Sequence, residues 1–140
     1  MRSSAATQRV LIAGTEEGVR LLTDVLAGDL EIVSARSVRE AMQRLATHGP
    51  FHFIVCNVSF DESRMFDFLQ ALRAAELEPP PRVVCVHAKT TPLSPRTRPA
   101  IEAALEALGV HALVDFAELA AARGEAAARE LLRETILRSA

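Results

Sequence analysis

Gly14-Thr-Glu-Glu-Gly18 is the first segment whose residue types suggest chemistry. It follows an apolar run and opens a helical pattern, as loops that cradle phosphate do. It lacks the Gly-x-x-x-x-Gly-Lys-Ser/Thr order, and its two glutamates oppose a phosphate. Asn57 closes the most apolar run of the chain. At the mouth of an open α/β sheet such a residue either binds a ligand or bonds to neighbouring loops, and the second is the simpler expectation. His87 closes the next run and suits a pH sensor or an anion-seeking cation. Only Asp115 offers it a carboxylate, so a solvated or backbone-bonded ring is the simpler expectation. His48, His52 and His111 are scattered and read as no ligand set. Asp61 and Asp67 are the acids nearest Asn57, and Asp61 is the one conceivable stray acceptor. With no metal or lysine partner in view, they read as solvated loop acids.

Cys56 and Cys85 form neither a metal spacing nor a disulfide framework. They read as buried thiols packed as small hydrophobes, with redox sensing as the alternative. Lys89 is the one lysine among 16 basic residues. With Arg96 and Arg98 it sits in a Pro/Thr/Ser-rich loop without acids. Such a loop either docks an acidic partner or is mobile and solvated.

The elements that must position these residues alternate. Arg9 to Ala13, Leu30 to Ala35, Phe51 to Val58, Arg82 to His87 and Val110 to Val114 are short apolar runs of strand length. Helical patterns lie between them. Thr15 suits the cap of the first, with Glu16 and Glu17 in its positive first turn. Ser37 and Glu40 have the spacing of a capping box for the second. A loop over Ser59 to Ser63 precedes a helix carrying Met65, Phe66, Leu69 and Leu72. Pro99 suits the first turn of the fourth helix, with Ile101, Ala104, Leu105 and Leu108 as its stripe. The chain is helical by pattern from the fifth strand to Arg138, and Gly124 marks either a break in that helix or its start.

The chain has 140 residues, a net charge of −2, 49% hydrophobic and 24% charged residues. That composition specifies a globular domain and gives no electrostatic reason for nucleic acid or an anionic membrane surface. Apolar stretches of about six residues are too short to span a bilayer. The polar first eight residues lack the apolar run of a secretion signal. The expectation is a flexible N-terminus over 1–8, one domain over 9–138, and a cytoplasmic location. Five strands alternating with helices predict a doubly wound α/β fold: a five-stranded parallel sheet covered on both faces, in flavodoxin-like order 2-1-3-4-5.

From about residue 9 to 138 this order resembles the receiver domain of bacterial two-component response regulators. Phe53-Ile-Val-Cys-Asn57 stands where a receiver carries the strand that ends in its phosphate-accepting aspartate. Phe68 and Leu69 follow at the spacing of its apolar pair, and Gly109-Val-His-Ala-Leu-Val114 resembles its fifth strand. The resemblance implies a nucleophilic carboxylate, an acid pair that holds Mg²⁺ with it, a hydroxyl and a lysine. Those positions fall on Asn57, on Gly14 and Thr15, on His87, and on Asp115 or Phe116. An amide has a carboxylate's shape without its charge or nucleophilicity. The expectation is therefore a degenerate pseudo-receiver with no metal, cofactor or catalysis. It would act as a protein-interaction module with a protein partner or as a homodimer. The resemblance puts the partner face on the fourth helix, fifth strand and fifth helix, with Ile101, Ala104, Ala107 and Leu113 as candidates. Two rivals are a flavodoxin-like small-molecule or enzymatic domain with its site near Gly14, Asn57 and His87, and the receiver half of a transcription regulator. The latter would need an output domain that this sequence does not include.

Overall fold

A computed structural model of the chain describes residues 8–28, 30–89 and 91–138. The expected flexible terminus lies outside these residues except for Gln8. The elements in order are β1 (Arg9–Ala13), α1 (Glu16–Leu26), β2 (Glu31–Ala35), α2 (Val38–His48), β3 (Phe53–Asn57), α3 (Met65–Ala75), β4 (Arg82–His87), α4 (Arg98–Ala107), β5 (Ala112–Asp115), α5 (Phe116–Arg123) and α6 (Glu125–Leu137). A short helical turn, Phe60–Ser63, precedes α3. The sheet is parallel throughout, in the order β2-β1-β3-β4-β5. Fold class and strand order are those expected from the sequence.

Strand side chains alternate between two cores, as the two-residue period requires. Val10, Ile12, Val55, Val84 and Val86 face the core closed by α1 and α6, where Leu22, Leu26, Leu132 and Ile136 are fully buried. Leu11, Ile54, Cys56 and Cys85 face the core closed by α2, α3 and α4. Every residue of β3 is buried. Burial on both faces removes any polar alternation, which is why this strand reads as an unbroken apolar run.

Helix ends follow local chemistry. Thr15 Oγ1 accepts from the Gly18 amide at 3.1 Å, and Ser37 Oγ from that of Glu40 at 3.0 Å. The return bond of the expected capping box lands one residue early: Glu40 Oε1 accepts from the Arg36 amide at 2.7 Å. Asp61 Oδ2 accepts from Val38 at 2.8 Å, so this carboxylate caps α2 and is not the solvated loop acid the sequence suggested. The turn that carries it is left-handed at Asp61 and Glu62. Phe60 anchors the turn edge-on against Phe68, with ring centroids 5.4 Å apart. Such a pair adds about 0.5–1.5 kcal/mol beyond its burial.

The final helical segment is two helices. Gly124 separates α5 from α6 at φ 86° and ψ 157°, a conformation essentially confined to glycine. Gly124→Ala is expected to lower unfolding free energy by about 1–3 kcal/mol. Urea denaturation followed by circular dichroism measures this, and an unchanged midpoint would contradict the strain.

Candidate functional site

Gly14, Thr15, Asn57 and His87 meet at the C-terminal ends of the strands, where open α/β sheets hold ligands. Asn57 is the last residue of β3 and only 2% exposed. Its Oδ1 accepts from the Thr15 amide at 3.1 Å. That bond fixes which end of the amide is oxygen. The other end, Nδ2, is buried and has no partner among the described residues.

Two glycines make room for this side chain. A Cβ on Gly14 would lie 1.9 Å from Asn57 Oδ1, and one on Gly18 1.8 Å from it. Gly18 stands in the first turn of α1, where glycine is unfavourable. It escaped the sequence reading as a functional residue, although a glycine at that cost is itself a signal of close approach. A cavity of about 90 Å³ remains beside the amide, bounded by α1's first turn, Ser59 and Lys89.

The expected acid-pair positions do not fit Mg²⁺, and Glu17 is the one carboxylate lining the cavity among the described residues. Gly14 and Thr15 supply no carboxylate, and any side chain on Gly14 would collide with Asn57. The one amide oxygen is committed to Thr15, and the uncommitted Nδ2 is a donor. Mg²⁺ requires hard oxygen ligands in octahedral array. Among the described residues no cluster of three or more His, Cys, Asp or Glu side chains gathers anywhere to hold a metal.

The β4–β5 side is organised separately. His87 pairs in register with Asp115 and is 8% exposed. Its Nε2 lies 2.8 Å from the Thr91 carbonyl and must therefore donate, while Nδ1 is buried with no partner among the described residues. The ring is backbone-bonded, the simpler of the sequence expectations. Asp115 is the buried last residue of β5. Its Oδ1 accepts from the Glu118 amide at 3.3 Å and caps α5. Its Oδ2 accepts from the Leu93 amide at 2.7 Å. Phe116 starts α5 and packs, half-buried, on the α1–α6 core. Arg98 joins the cluster through Glu118 at 2.7 Å and Glu102 at 3.2 Å, and lies 4.0 Å from Asp115. The bond to Glu118, foremost, raises the Arg98 pKa above its ordinary value. The Lys89–Arg98 loop, Thr90 lying outside the described residues, is thus tied at Thr91 and Leu93. Most of the loop is nonetheless exposed, as the solvated reading expected, with Leu93 and Arg98 part-buried among its described residues.

Cys56 and Cys85 are free, fully buried and paired in register on β3 and β4. Burial, foremost, pushes the Cys56 pKa well above the ordinary thiol range. That thiol is chemically quiet, as the packing expectation required. On the expected partner face, Ile101 and Leu113 pack against the α2–α4 core. Ala104 is half-buried and Ala107 exposed.

No protein-family model matches the chain, and no curated protein does. Solved structures do. The phosphorylated cyanobacterial phytochrome response regulator RcpA gives a TM-score of 0.71 at 17% identity, over 96% of this chain and 97% of that one. A sensor protein from Polaromonas sp. JS666 gives 0.70 at 18% identity, over 95% of each chain. A chain of the complex between the P1 domain of CheA3 and CheY6 from R. sphaeroides gives 0.54 at 21%, over 79% of this chain and 83% of that one. The shared property at these identities is the fold, which is that of response-regulator receiver domains.

Gly18→Ala forces its Cβ into the Asn57 amide and is expected to cost about 1–3 kcal/mol. In a double-mutant cycle, Asn57→Ala removes the obstructing atoms, so the two losses are expected to be less than additive. Strict additivity would mean that the glycine does not serve the amide.

Proposed function

We propose that this chain is a receiver-fold interaction module of bacterial signal transduction, working in the cytoplasm without phosphoryl transfer or catalysis of its own. It docks a protein through the α4–β5–α5 face. The observation that carries the reading is the seat of Asn57. A neutral amide fills the position of a nucleophile, and the two glycines packed against it carry no carboxylate. An amide is almost without nucleophilicity. Asp115 stands where the resemblance asks for a lysine, and its carboxylate is already spent on two backbone amides.

The docking part has its own support. A groove of about 320 Å³ runs along α4 and β5, floored by Leu105, Val110 and Leu113 and edged by Glu102 and Glu106. Ala103 and Ala107 are exposed on the same helix and let a partner backbone approach. Glu102 is already paired with Arg98, so Glu106 is the edge carboxylate that suits a basic side chain of a partner. The CheA3–CheY6 structure is a protein complex containing a chain of this fold. Among the described residues no helix is long and apolar enough to cross a membrane.

Incubation with acetyl phosphate and Mg²⁺ is expected to leave the intact mass of the chain unchanged under conditions that phosphorylate a receiver bearing the aspartate. A stoichiometric, acid-labile adduct would overturn the reading. Double charge reversal, Glu102→Lys with Glu106→Lys, is expected to abolish capture of a basic partner while leaving the melting temperature within a few degrees. Retention of the same partner by the variant would remove α4 from the interface. Loss of self-association in sedimentation would instead identify a second copy as the occupant.

A further inference from the structure

The cup beside Asn57 gathers several hydrogen-bond donors that lack acceptors among the described residues, with Glu17 as the one acid in its lining. Asn57 is 2% exposed, lines the cavity, and leaves both hydrogens of Nδ2 unused. Buried polar groups of that kind normally have a partner. α1 is an eleven-residue helix whose first turn forms one wall. Thr15 takes up the Gly18 and Val19 amides. Those of Glu16 and Glu17 have no acceptor among the described residues, as expected for the first positions of a helix. Ser59 contributes a hydroxyl that caps nothing. Lys89, the only lysine of the chain, forms another wall with no partner among the described residues. These groups surround a volume of about 90 Å³.

We infer that this cup binds a small carboxylate anion. The ligand must accept from several directions and donate nothing, which selects an oxyanion. The volume holds a few heavy atoms and excludes a nucleotide. Glu17 lines the rim and Glu16 stands exposed beside it, so a second negative charge is opposed. A planar monoanion can turn one oxygen toward Asn57, whose Nδ2 is closed to solvent, and the other toward Lys89 and the α1 amides, with the positive end of the helix behind it. The preferred charge is thus opposite in sign to that of the ion expected from the resemblance. The inference stands apart from the docking reading, since it concerns the opposite flank of the strand ends.

The test is a titration of the ¹⁵N-labelled chain with sodium acetate at constant ionic strength, followed by NMR. Saturable shifts are expected at the Glu17 and Gly18 amides and the Asn57 side-chain NH₂. Lys89→Gln is expected to weaken binding roughly fivefold, while Arg96→Gln, outside the cup, leaves it unchanged. Asn57→Asp, which replaces the unused donor with a negative acceptor, is expected to abolish it. Capped aspartate binding as tightly as acetate assigns the cup to a partner's acidic side chain; acetate alone assigns it to a free acid. Four results overturn the inference: shifts that never saturate, equal binding by Lys89→Gln, tighter binding of phosphate than of acetate, or shifts at these groups with MgCl₂ but not with acetate.

Discussion

The hydrogen bond from the Thr15 amide to Asn57 Oδ1 joins the ends of β1 and β3 and sets what the strand ends can do. It exists only because Gly14 and Gly18 present no Cβ on either side of the amide. Three carboxylates at such a place would repel one another until a cation intervened. Here the central group is neutral, so no repulsion needs relief and the arrangement requires no divalent ion to hold its shape. The same neutrality leaves the N-terminus of α1 uncompensated from within the sheet. Its positive end faces the cup, with Glu16 and Glu17 as the only nearby counter-charges, both exposed to solvent.

A second constraint governs the other half of the same rim. A buried carboxylate must be paired, and Asp115 achieves this with the Leu93 and Glu118 amides and a distant Arg98. The β4–α4 loop, the start of α5 and the start of α4 therefore behave as one piece. Lifting the loop would leave Oδ2 without its donor, at about 1–3 kcal/mol. A partner that rearranges this region has to recover that cost by binding the rearranged form more tightly.

The sequence makes local and periodic features readable. Strand positions follow from two-faced burial, and the caps Thr15 and Ser37 follow from bonds that span three residues. Features that depend on distant partners are hidden. Asp61 meets Val38 across 23 positions and Leu93 meets Asp115 across 22, so a loop acid and a loop amide look solvated in one dimension. Gly124 was legible as a break or a helix start, and alanine on both sides, which carries helical pattern through the interruption, left the two undecided. At the strand ends the residue types Gly14, Thr15, Asn57, His87 and Asp115 were legible, whereas the part played by Gly18 was not. The direction of the Asn57 side chain was not legible, because it is set by the room beneath it.

The rim thus divides into two closed sets, and the described side chains make no hydrogen bond between them. Asn57 and Thr15 form one; His87, Asp115 and Leu93 form the other. Their nearest backbone link is the Val58 amide on the Val86 carbonyl. His87 cannot turn toward Asn57 without releasing Thr91, since its Nε2 donates to that carbonyl. Lys89 lies between the two sets in sequence. It lines the cup, and it lies two positions after the imidazole and two before the carbonyl that holds it.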